Sequence, residues 1–178
     1  MISKLVFMLI LKFVHALSKA LIAFFVGFFC LIVGYGNIVD YETNFSFVQH
    51  VLSMDDMEPF FDGKNIIHRA ITSPLWHHIF YNLIILFELL AGILCVIGAI
   101  IMFINVKKNN FSLGQAFFIG GATIAVAVWY FGFAVVGGEW FAMWANKWNG
   151  QMKAYTFSLF IMLSVIYILI PTPKNLQS

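Results

Sequence analysis

From Pro74 to Ile104 the chain carries one acid, Glu88, and no lysine or arginine. Coiled as an α-helix at 1.5 Å per residue, such a run reaches well past the ~30 Å hydrocarbon core of a bilayer. A segment of this kind has no place on a wetted surface. Three further apolar runs accompany it, at about 20–39, 113–136 and 154–170. Only 10% of the 178 residues are charged, whereas a soluble domain needs roughly a quarter to clothe its exterior. The chain therefore reads as an all-α membrane protein. It is expected to form a four-transmembrane-helix bundle, a single membrane domain over residues 1–178, with short interfacial helices in its two outer loops.

Residues 1–19 are apolar but carry Lys4, Lys12, His15 and Lys19. On a helix these four fall within one arc of roughly 80°, a basic amphipathic start. As one helix, Lys4 to Tyr35 would measure about 48 Å, so the first turns are expected to lie at the interface or project from it. A secretory signal peptide is the competing reading. No small-x-small cleavage site follows and the apolar stretch is too long, so the segment is expected to be retained.

Residues 40–73 are polar, and Phe45, Val48 and Leu52 repeat at helical spacing within them, which predicts a short helix on the bilayer or on the bundle. Ser73 and Pro74 predict a helix start, with serine as cap and proline in the first turn. Asn105, Lys107 and Lys108 end that run. Gly137-Gly138 is expected to break the third span. Trp140, Trp144 and Trp148 then recur every fourth residue, predicting an amphipathic helix over Glu139–Gln151 with indoles at headgroup depth. Pro171 and Pro173 stop the fourth span.

Four spans put both termini on one side, together with Lys4, Lys12, Lys19, Lys107, Lys108 and Lys174 and no acid. The opposite side holds Asp40, Glu42, Asp55, Asp56, Glu58, Asp62 and Glu139 against Lys64, Arg69, Lys147 and Lys153. Lysine and arginine bias sets orientation, so both termini are expected in the cytoplasm, with an outer cap built from 40–73 and 137–153. The formal charge of +2 gives no argument for nucleic acid.

The signature Asn37-x-x-Asp40-Tyr41-x-x-Asn44-Phe45-x-Phe47-Val48-Gln49-His50-Val51-Leu52-x-Met54-Asp55 is long. With Arg69-Ala70-Ile71, Tyr81, Glu88, Gly138-Glu139-Trp140-Phe141-x-Met143-Trp144 and Trp148-Asn149-Gly150, it resembles a bacterial family of predicted small integral membrane proteins, domain of unknown function 2165. The resemblance covers most of the chain. It implies a four-helix membrane protein, with the inner membrane as its expected location, and no established activity.

Among individual residues, Glu88 is the costliest to explain, because an ionisable group inside a span by default marks function or a polar contact between helices. Counted from a common outer plane it lies about 21 Å deep, level with Thr123 and Tyr167 and close to Ser164. His77 and Tyr81 lie one turn apart, on nearly the same stripe as Glu88. His50, His68, His77 and His78 are the metal candidates. Zinc or copper would want them converging with carboxylates, and Met54 and Met57 could add soft ligands. No H-x-x-x-H or C-x-x-C spacing supports this, and headgroup-level histidines paired with Asp or Glu are the plainer alternative. Haem would need an axial His77 or His78 and a second histidine from His50 or His68. Cys30 and Cys95 are expected as free thiols some 20 Å apart in depth. No nucleophile elbow or phosphate loop is present.

Asp40, Tyr41, Asn44, His50, Asp55, Arg69, His77, Glu139, Trp140 and Trp144, with Asn149, are expected to form the exterior binding surface, Arg69 acting as an ion-pair staple. Gly92, Gly98, Gly114, Gly120, Gly121 and Gly132 are read as close-contact points between helices. The leading function is a non-enzymatic accessory or interaction protein, facing a membrane-protein partner or a second copy. The alternative is a protein handling a metal, haem, proton or lipid through the cap and Glu88. An intramembrane enzyme comes third.

Overall fold

The computed structural model describes residues 2–106 and 110–171, with side chains from residue 5 onward. Lys107, Lys108, Pro173 and Lys174 lie outside the described residues, as does the side chain of Lys4. Helix α1 spans Ile2–Val39, α2 Tyr41–Ser53, α3 Pro74–Ile104, α4 Phe111–Val126 and α5 Gln151–Leu169. Four stretches are long and apolar enough to cross a membrane: Leu5–Val39, Pro74–Ile104, Phe111–Trp140 and Gln151–Leu169. The architecture is thus an all-α, four-span bundle with short helices in the two loops at the end that carries α2, named the outer end. Hydrocarbon offers no partner to backbone N–H or C=O groups, so these apolar runs coil and satisfy themselves.

Ordering in lipid cannot rely on the hydrophobic effect between helices, since lipid tails are as apolar as leucine; close backbone approach replaces it. Helix α3 is the hub. On one flank a Cβ added at Gly27 would stand 2.8 Å from Val96 N, and one at Gly34 2.8 Å from Leu89 Cδ2. On the other flank, a Cβ on Gly98 would lie 2.6 Å from Gly114 O, and one on Gly121 2.6 Å from Ala91 O. Gly92, Gly98, Gly114 and Gly121 are therefore contact points. Gly120 faces open space and Gly132 meets only Ala127 O, at 3.5 Å, so neither closes a helix pair.

These contacts impose a stagger. Ala20, Leu21 and Phe24 face Ala99, Ile100 and Phe103, while Gly34 faces Leu89. Helix α3 consequently rises about 15 Å past the outer end of α1, and α1 runs on by roughly 25 Å below the inner end of α3. The basic start is continuous with the first span, one unbroken helix from Ile2. Leu5, Phe7, Leu9, Ile10 and Phe13 on it are exposed. The inner end is closed where α5 stops: buried Lys19 donates to Ile170 O, Gln115 Nε2 donates to Ile168 O at 2.6 Å, and Tyr167 Oη lies 2.7 Å from Ser18 Oγ. Side chains thus take up carbonyls that the last turn of α5 leaves without an amide.

Three local expectations change. Ser73 stands at the N-cap of α3, but its hydroxyl makes no capping bond; Pro74 alone opens the helix in its favoured place. Gly137-Gly138 does not break the third helix, which continues beyond α4 as a π-helix, Ala127–Trp140. Such i→i+5 winding is rare beyond a single turn. The tryptophan segment is not a helix over its length. It holds one 3₁₀ turn, Met143–Ala145, entered through Ala142 at φ +52° and left through extended Asn146, and this kinked path stops 3.6-residue winding.

Gly98→Ala is expected to cost about 1–3 kcal/mol by overpacking, because Gly114 O and Phe118 N, both backbone atoms at 2.6 Å, cannot step aside. Gly120→Ala, with nothing within 4 Å, should be neutral or gain up to about 1 kcal/mol. Melting of the two variants in one detergent checks the contrast.

Candidate functional site

The cap is built on α2. Its apolar stripe is the expected one: Phe45, Val48, Val51 and Leu52 are buried, packing over Tyr81, Ile85, Phe141 and Met143. Met54, at φ +49°, caps its end and turns the chain towards residues 55–73. That loop is laced to the tryptophan segment by backbone. Glu58 N donates to Ala145 O at 2.8 Å and Lys147 N to Asp56 O at 3.0 Å, around an antiparallel bridge of Met57 with Asn146. Buried Asn146 reaches back to α2, its Nδ2 donating to His50 O at 3.3 Å.

Side chains reinforce the lacing. Lys147 Nζ donates to Asp56 Oδ1 at 2.7 Å and Trp148 Nε1 to Asp56 Oδ2 at 3.1 Å. The Trp148 indole lies under the His50 ring at 4.8 Å and 15°, and His50 Nδ1 donates to Asp55 Oδ1 at 2.8 Å. The Lys147 hydrogen bond, with help from Trp148, holds the Asp56 carboxyl below its ordinary 3.8, against a smaller upward pull from burial. In return, Asp56 raises the Lys147 ammonium above 10.5. This tie is complete between those limits and is lost as pH falls through the lowered carboxyl value or rises through the raised ammonium value.

The expected surface divides into regions. His50 and Asp55 join the second segment, through Asn146 and Trp148. Asp40 and Asn44 stay at the α1–α2 corner, where Asn44 Nδ2 donates to Asp40 O at 3.2 Å. Tyr41 Oη is 3.0 Å from His78 Nδ1, and the His78 ring stacks on Phe45 at 4.1 Å. Glu139 accepts from Gln151 Nε2 at 2.9 Å, and Asn149 Nδ2 donates to Trp144 O. Trp144 stacks on Phe60 at 6.4 Å, and both are exposed. Arg69 is not an ion-pair staple. It donates to Trp140 O at 3.3 Å with its guanidinium 4.5 Å above the Trp140 ring, while its Nε is buried without a hydrogen-bond partner.

The histidines do not converge. Among the described residues no three His, Cys, Asp or Glu side chains gather as a metal site would require. His68 sits in the exposed turn Ile67–Arg69. Buried His77 donates Nε2–H to Ile71 O at 2.6 Å, while its Nδ1 is buried with no partner.

Glu88 is buried against Asn37, whose Nδ2 donates to Oε2 at 2.7 Å. Tyr81, also buried, donates to Asn37 O at 3.1 Å, so three side chains on α1 and α3 form one cluster. Glu88 Oε1 is buried with no partner. The partners expected by depth are elsewhere: Thr123 bonds Ile119 O, Ser164 bonds Phe160 O, and Tyr167 closes the inner end. The stagger explains the miss, because Glu88 is fourteen positions into α3 yet opposite the last turns of α1. It also places Cys95 beside Gly27, near the height of Cys30 rather than 20 Å away; both thiols are free and buried. Asn37 was legible as a polar residue near the end of an apolar run.

Nothing in the sequence announced one feature. Between α2, α3 and the π-helix lies an open groove of about 890 Å³, walled by Phe80, Phe87, Val128, Phe131 and Gly132, with Glu139 and Trp140 also lining it.

Asn37→Val should cost about 1–3 kcal/mol by stranding the Glu88 carboxyl, whereas Glu88→Gln keeps an oxygen for Asn37 and should cost less; denaturant melts in detergent compare them. Hydrogen exchange at the Lys147 amide should be level from pH 5 to 9, once corrected for intrinsic rate. Below the ordinary carboxylate range of about 4 it should rise, and Asp56→Asn should remove that rise.

No curated protein and no solved structure matches the chain. A family model described as predicted small integral membrane protein (DUF2165) matches residues 15–171, from His15 through the cap and the Glu88 cluster to the end of α5. The chain belongs to that family of predicted small integral membrane proteins.

Proposed function

We propose that this is a non-enzymatic accessory protein of the bacterial inner membrane, with both termini cytoplasmic and a periplasmic cap that docks a membrane-protein partner. One observation carries the reading. Segments distant in sequence are laced into a fixed platform that keeps Phe60, Trp140 and Trp144 exposed. Exposed aromatics held rigidly on a polar frame are the usual anchors of protein recognition, and ordering them in advance lowers the entropy lost on docking. Lys12 and Lys19 lie in the N-terminal half of α1, whereas Asp40 and Glu42 follow its C-terminal end, a distribution that supports the orientation.

Crosslinking and co-purification from the native membrane should recover one fixed partner. Phe60→Ala with Trp144→Ala should lower that recovery about tenfold, the effect of one modest hot spot, with no change in melting. Recovery unchanged in the double variant would sink the reading. Cysteines placed at 55–65 should react with impermeant reagents in intact cells, and those at 107–110 should not.

A further inference from the structure

The groove beside the cap differs from ordinary lipid-facing surface. Its volume, about 890 Å³, falls within the roughly 300–1,000 Å³ of dedicated ligand sites. One wall is the π-helix Ala127–Trp140, a winding often found where proteins bind something. The rim carries opposite charges flanking one indole. Glu139 lines the groove directly, and Arg69 lies over Trp140, which lines it too. Arg69 does not itself line the groove, but it stacks on a residue that does, and a guanidinium held there is a match for a phosphate at the groove mouth.

We infer that the groove binds one phospholipid whose headgroup carries both a phosphate and a primary amine. An acyl chain lies between Phe80, Phe87 and Phe131. The phosphate meets the Arg69 guanidinium, and the ammonium meets the Glu139 carboxylate beside its bond from Gln151. A headgroup that is only anionic would gain at Arg69 and be repelled at Glu139, so the pair of charges selects a zwitterion. The inference goes beyond the docking role of the cap and does not depend on it.

Native mass spectrometry of detergent-purified protein, loaded with phosphatidylethanolamine or phosphatidylglycerol of identical chains, tests this. The wild type should retain one phosphatidylethanolamine about fivefold better than phosphatidylglycerol, the scale of one ion pair near a surface. Glu139→Gln should erase that preference, and Arg69→Gln should weaken both lipids. Gly132→Leu, where a Cβ meets only Ala127 O at 3.5 Å, should fill the groove and lower retention of both. Should Gly132→Leu fail to fold, the two rim variants decide. Equal retention of both lipids by the wild type overturns the inference. So does retention unchanged in Arg69→Gln and in any folded Gly132→Leu.

Discussion

The structure depends on how closely α3 approaches its two neighbours. At Gly27 on one flank, and at Gly98, Gly114 and Gly121 on the other, the helices touch through backbone atoms that leave no room for a methyl group, and at Gly34 the Leu89 side chain closes the gap. In lipid this contact supplies dispersion that solvent exclusion cannot. It also fixes height. A helix held at several glycines along its length cannot slide by a turn without driving side chains into backbone.

The polar features follow from that height. Because α3 stands above α1, its outer turns have no α1 beside them, and α2 fills the space with Phe45 and Tyr41 against His78 and Tyr81. The same offset brings Glu88 to Asn37. A carboxyl well inside one helix thereby meets an amide near the mouth of another, close under the cap. The Asn37–Glu88–Tyr81 cluster and the cap are therefore neighbours: Tyr41, in the first turn of α2, packs edge-on to Tyr81 at 4.8 Å.

The four spans, the buried stripe of α2 and the two polar segments between spans were legible, because apolar length and a repeat of three to four residues are local signals. Relative height was not. Counting depth from one shared plane assigned Glu88 to Thr123 and Tyr167 and separated Cys30 from Cys95, since no local signal records how far one helix is displaced along another. The π-winding after Val126 was hidden for a similar reason: Gly137 and Gly138 read as breakers, yet the turns continue through them. At the cap, residue types pointed to two loops that do pack together but not to their partners. Arg69 chose an indole and a carbonyl over the surrounding acids, a choice made by the fold of the loop rather than by charge.

Unequal helix heights also bear on the bilayer itself. The apolar belt is oblique, low where α1 runs on through exposed Leu5 and Phe7 and high where α3 exposes Leu75 and Trp76. A flat ~30 Å slab cannot coat both flanks at once. Lipid must thin on one side or thicken on the other, or the whole protein must lean. With its apolar surface offset in this way, a change in hydrocarbon thickness would act on the molecule as torque rather than as uniform pressure.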